Sequence, residues 1–68
     1  MTKKEFTRNS IVEAAQKQFI KDGYKDTRMI DIANEVSIDR RTVYRHFDNK
    51  ETLILEILSK LYEEFTIY

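Results

Sequence analysis

Between positions 38 and 50 the chain reads IDRRTVYRHFDNK. Arg40, Arg41, Arg45 and Lys50 charge this stretch, and Thr42, Tyr44 and His46 interleave a hydroxyl, a phenol and an imidazole. Such residue types suit a polyanionic partner. A guanidinium near the start of a helix can reach base edges and matches the O6 and N7 acceptors of guanine bidentately. The hydroxyl, phenol and imidazole donors suit phosphate oxygens, and Lys50 adds a compact charge beside a helix N-terminus, itself an anion site. An arginine-rich face is also what an ordinary solvated helix presents. Pairing of these arginines with Asp39 or Asp48 at the surface would contribute only about 0–1 kcal/mol. Taken alone, His46 reads as a surface histidine, and Tyr44 and Phe47 read as core. The functional reading rests on all of them standing together directly after a helix-turn.

Other chemistries lack their residues. The chain has one histidine, no cysteine and one glycine, so nucleophilic triads, phosphate-cradling loops and thiolate metal sites are all unsupported. Asp31 and Glu35 stand four residues apart on one helix, but His46 belongs to a different element. No catalytic residue, metal site or cofactor is expected, and the chain is not read as an enzyme. Basic and acidic residues both number 12, giving no net charge. The distribution carries the signal instead: the opening stretch and residues 40–50 are basic in balance, while residues 51–68 are acidic.

These side chains need a scaffold, and 68 residues supply one domain. A domain of that size buries roughly 60% of its unfolded surface. With 41% apolar and 35% charged residues the chain has the composition of a folded domain. No apolar run approaches the ~20 residues of a membrane span, and MTKKEFTRNS lacks the apolar core of a signal peptide. The expectation is a soluble cytoplasmic protein with no membrane partner. The absence of proline and the single glycine imply helices with short connections.

Apolar spacing predicts four helices. Ile11, Ala14, Ala15 and Phe19 give the first a buried face over about residues 4–22. Gly23 would end it in a left-handed conformation, with Tyr24 folding back into the core. Thr27 is the expected N-cap of a second helix carrying Met29, Ile32, Ala33 and Val36. After a break of about three residues, Asp39 caps a third, two-turn helix held by Val43 and Phe47. Asp48 or Asn49 caps a fourth from about Lys50, with Ile54, Ile57, Leu58, Leu61 and Phe65 in one stripe, widened by Leu55 and Tyr62. That band exceeds what three small helices need for packing. Two short helices joined by a tight turn form a helix-turn-helix, whose second helix enters the DNA major groove. The fold class is all-α: a three-helix bundle of homeodomain-like form, with helices 2 and 3 as the helix-turn-helix, plus the start of a longer fourth connecting helix.

The residues Ile11, Ala14, Ala15, Phe19, Gly23, Tyr24, Thr27, Ile32 and Ala33, then Thr42, Val43, Tyr44, His46, Phe47, Lys50, Glu51 and Leu53, follow one another with characteristic gaps. In this the chain resembles the N-terminal helix-turn-helix DNA-binding domain of the TetR family of bacterial transcriptional regulators. The resemblance covers about residues 8–58. It implies that Thr42, Tyr44, His46 and Lys50 hold the DNA backbone, that Arg40 and Arg41 read sequence, and that Arg45 meets either a base or a phosphate. It implies phosphate contacts for Thr27 and Arg28 at the start of helix 2. Double-stranded DNA with a near-palindromic operator is the implied partner, bound by a homodimer of the full-length protein. Residues 1–50 would be the DNA-binding domain and residues 51–68 a connecting helix, cut short before an effector-binding and dimerisation domain that takes a small molecule. Two positions depart from the family pattern. Ser37 stands where glycine is usual, so the turn is either mildly strained or reshaped, and Arg41 replaces a small residue in the recognition helix. The competing expectation is a helical protein-interaction module that binds through the apolar face of helix 4.

Overall fold

The computed structural model describes residues 2–66, with side chains as far as Glu63. Four helices account for its regular structure, and no strand occurs among the described residues: α1 (Lys3–Asp22), α2 (Met29–Glu35), α3 (Arg40–His46) and α4 (Lys50–Thr66). The closest helix pairs are α1 with α2, α1 with α4, and α2 with α3.

Local chemistry explains each boundary. Thr2 caps α1, its hydroxyl accepting the Glu5 N–H at 3.2 Å while Glu5 accepts the Thr2 N–H at 3.5 Å. At the other end Gly23 donates to the Phe19 carbonyl and takes φ 91°, ψ 151°. The positive φ is as expected, but this ψ lies outside the left-handed helical well, in a region open essentially to glycine alone. The cap of α2 is Arg28 rather than the expected Thr27: the Arg28 N–H donates to the Asp31 carboxylate at 3.0 Å. Thr27 lies one residue too early because its side chain has turned inward, as described below.

Ser37 keeps the left-handed conformation, at φ 58°. Its N–H donates to the Asn34 carbonyl at 3.2 Å and the Ile38 N–H to that of Ala33 at 3.1 Å, a Schellman closure of α2. The turn is therefore retained with serine in a position that favours glycine. Asp39 caps α3 as expected, accepting the Arg41 N–H at 3.0 Å. Of the two candidates for α4, Asn49 is the cap, and its Oδ1 accepts from both the N–H and the hydroxyl of Thr52 at 2.9 Å.

The core comprises Ile11, Val12, Ala14 and Ala15 from α1, Met29, Ile32 and Ala33 from α2, Val43 and Phe47 around α3, and Leu53 and Ile57 from α4. Phe19, Val36, Ile38 and Ile54 pack against it from the edge. Two expectations fail. Tyr24 is 37% exposed, its ring resting against Phe19 at 5.2 Å instead of entering the core. On α4 the buried line runs through Leu53 and Ile57, so Leu58 and Leu61, expected in the stripe, are turned outward with Leu55 and Tyr62. Phe65 lies outside the described side chains.

Candidate nucleic-acid interface

Fixing Val43 and Phe47 in the core determines what α3 shows to solvent. Arg40, Arg41, Tyr44 and Arg45 are exposed and together line an open surface groove of about 610 Å³. Thr42 and His46 are half-buried and do not line it. None of the three arginines forms an ion pair with a described residue. Asp39, next to Arg40 in the chain, accepts the Arg41 N–H with one carboxylate oxygen as the cap of α3. The result is a face that gathers three arginines without ion-pair partners among the described residues, in a chain of zero net charge.

Tyr44 also borders a second cleft of about 420 Å³, lined by the basic Arg28 and Lys50, by Tyr24 and Asn49, and by the acids Asp48 and Glu51. Tyr44 is the residue the two hollows have in common. Lys50 is half-buried, and its ammonium donates to the carbonyls of Tyr24 at 2.7 Å and Lys25 at 3.3 Å, with the Tyr24 ring 4.6 Å away. It thus ties α4 to the loop after α1, and an ammonium with three donors still has one to offer outward. Arg28 is mostly exposed, and its guanidinium meets both carboxylate oxygens of Asp31 at 3.3 Å. Hydrogen bonds from the Arg28 side chain and backbone hold the Asp31 carboxyl below its ordinary pKa.

Thr27 is placed differently from what the sequence suggests. It is 1% exposed, and its hydroxyl points at the carbonyls of Gly23 at 2.9 Å and Gln18 at 3.2 Å. Its side chain secures the α1–α2 connection and presents no donor at the surface. His46 has its pKa pushed below the usual histidine value, first by burial and then by the positive charges of Arg8 and Lys4. No cluster of acidic and histidine side chains suited to a metal ion occurs among the described residues.

Sequence reasoning missed Arg8. Its Nη1 donates to the His46 carbonyl at 3.2 Å, its Nη2 to Glu56 at 2.9 Å, and its guanidinium lies 4.3 Å over the Phe47 ring. A signal was present: Arg8 stands three, four and seven residues before Ile11, Val12 and Ala15, so a charge sits on the apolar stripe of α1. Gln18 was missed as well. It bridges α1 to α2 by donating to the Asp31 carbonyl at 3.0 Å.

With the helices and this face in place, comparison with known proteins decides the family. The model of "Bacterial regulatory proteins, tetR family" matches residues 11–57. The chain belongs to the TetR family. It is 41% identical over 57 residues to the HTH-type transcriptional regulator TtgR of Pseudomonas putida, covering 84% of this chain and 27% of that protein. It is 36% identical over 59 residues to TcmR of Streptomyces glaucescens, covering 87% and 26% respectively. Against the HTH-type transcriptional repressor NicS of Pseudomonas putida it is 34% identical over 59 residues, covering 87% and 28%. The chain thus spans little more than a quarter of the length of these relatives. No solved structure matches it significantly. As a TetR-family helix-turn-helix domain it is of the kind that binds DNA in transcriptional regulators, a class that is not enzymatic. No helix among its described residues is long and apolar enough to cross a membrane.

Proposed function

We propose that the chain is the sequence-reading head of a TetR-type repressor, with α3 seated in the major groove of double-stranded DNA. The observation that carries this is the exposed face of α3, where Arg40, Arg41 and Arg45 lack acidic partners and flank Tyr44 in one open groove. Arg40 and Arg41, in the first turn, read base edges. Tyr44, Thr42, His46 and the outward donor of Lys50 hold phosphates, with Arg28 exchanging its Asp31 partner for a phosphate at the flank. Thr27 supports the surface from behind. Residues 1–50 form the reading domain and residues 51–68 the connecting helix of a longer protein. In a homodimer two such heads would lie about 34–36 Å apart on a near-palindromic operator. Release by a small effector, repression of transcription and a cytoplasmic setting follow from the same reading.

Titration of duplex DNA at several salt concentrations tests it. A phosphate contact contributes about 0.9 to the slope of log affinity against log salt. Tyr44→Ala should weaken binding alike on every sequence. Arg40→Ala and Arg41→Ala should each cost about 1–3 kcal/mol on the preferred sequence and little on random DNA. Equal losses on both would make these arginines backbone contacts, and the salt slope of Arg45→Ala assigns that residue to base or phosphate.

A second reading draws on Leu55, Leu58 and Tyr62, which are 65%, 53% and 71% exposed. In it the chain is a helical interaction module that docks a partner protein on α4. NMR shifts on adding a duplex separate the two. Saturable changes at residue 28 and residues 40–50 support DNA reading, whereas no saturable change leaves the interaction module.

A further inference from the structure

We infer that Arg8 is a positioning residue for the DNA-reading helix, coupling the C-terminal end of α3 to α4 through Glu56. The inference rests on the proposed role of α3. The backbone of α3 runs closest to α2, while α4 runs closest to α1. What joins α3 to α1 and α4 is therefore chiefly side chains, and the Arg8 guanidinium stands where all three meet. One of its nitrogens donates to the carbonyl of His46, the last residue of α3. That carbonyl is among the four that a helix end leaves without an intrahelical donor. Another nitrogen pairs with Glu56 on α4 at 2.9 Å, and the plane lies over Phe47, the C-cap of α3 and a core residue.

Each contact uses a different property of the guanidinium. The planar fork donates in two directions at once while its face rests on an aromatic ring, a combination a lysine ammonium cannot reproduce. Arg8, on α1, meets α3 at its C-terminal end, the end away from the turn that joins it to α2. The recognition helix is thus held at its start by the Asp39 cap and turn, and at its end by Arg8. A shift of α4 at Glu56 would reach α3 through this guanidinium. Nothing in this role requires Arg8 to touch DNA.

The test uses Arg8→Met, which keeps an apolar stem against Phe47, with Arg8→Lys, Glu56→Ala and the Arg8→Met/Glu56→Ala double variant. Amide hydrogen exchange in the free chain is read first, under conditions where every variant is folded by circular dichroism. Arg8→Met should speed exchange at residues 43–47 about tenfold more than at residues 11–15. Uniform acceleration would make Arg8 an ordinary stabilising residue and overturn the inference. DNA affinity is then measured on a duplex enriched from a random pool by the unsubstituted chain, and on the unselected pool. Arg8→Met should lose about tenfold on the enriched duplex and little on the pool, with the salt slope unchanged. A slope reduced by one contact would make Arg8 a phosphate ligand and overturn the inference, as would full rescue by Arg8→Lys. The double variant should bind no worse than Arg8→Met, since both substitutions break one linkage; additive losses would sink the coupling through Glu56. If the unsubstituted chain binds no duplex, the proposed function fails, and the exchange measurement still decides the role of Arg8.

Discussion

At the scale of single residues, the interface separates side chains that meet a partner from those that hold them in place. Thr27 is a sharp case. Its hydroxyl is buried against the carbonyls of Gly23 and Gln18, so Thr27→Val keeps the shape and removes the donor. We predict a loss of about 1–2 kcal/mol in urea unfolding, the cost of leaving buried acceptors short of a donor, with DNA affinity per folded molecule unchanged. His46 yields a prediction in pH. Burial and the charges of Arg8 and Lys4 lower its pKa in the folded chain, so as pH falls the unfolded chain binds the proton first. Stability from this group is complete above the ordinary histidine value near 6.5 and declines as pH drops through the lowered folded value. Urea midpoints from pH 7.5 down to 5 should fall less steeply for His46→Gln than for the parent. Equal slopes would remove His46 as the source.

At the scale of elements, the turn between α2 and α3 sets the angle at which the arginines are presented. It closes as a Schellman motif with Ser37 at φ 58°, a conformation in which an L side chain crowds the backbone. Ser37→Gly should therefore raise stability by about 0.5–1 kcal/mol in thermal or urea unfolding, the relief of crowding exceeding the added chain entropy. No gain would mean that the serine is already accommodated there. Elements were the level most legible in the sequence. Apolar period located all four helices, and caps marked the starts of α3 and α4, because Ile32, Ala33, Val43 and Phe47 record on one strip of chain which side faces inward. The side chains of α3 followed directly, since two buried positions on a two-turn helix leave little choice for the rest. Residues whose role depends on a distant neighbour were not legible. Tyr24 was expected inside and Thr27 at a helix cap, because local pattern carries no record of Lys50 arriving from α4 or of the Gln18 carbonyl waiting on α1. For Arg8 the charge on the apolar stripe of α1 was visible, but its partners were not, since they lie 38 and 48 residues away.

At the scale of the whole molecule, a small core and a wide apolar helix face stand side by side. A domain of this length is stabilised by only about 3–10 kcal/mol, and the buried residues of four short elements must supply it. Leu53 is fully buried and Leu58 is 53% exposed, although both are leucines on the same helix. Leu53→Ala removes methyl groups from the centre of the core and leaves a cavity, a loss of about 2–5 kcal/mol, enough to unfold much of the population at 37 °C. Leu58→Gln replaces an exposed side chain by one of similar helix propensity and should change stability by no more than about 0.5 kcal/mol. The pair distinguishes two accounts of the apolar band on α4. If that band were a strut on which the four helices depend, both substitutions would lower the urea midpoint strongly. If α4 carries one face for this domain and another in excess of its needs, only Leu53→Ala will do so, and Leu58→Gln will leave both folding and duplex binding intact. The outward turn of Leu55, Leu58 and Tyr62 favours the second outcome.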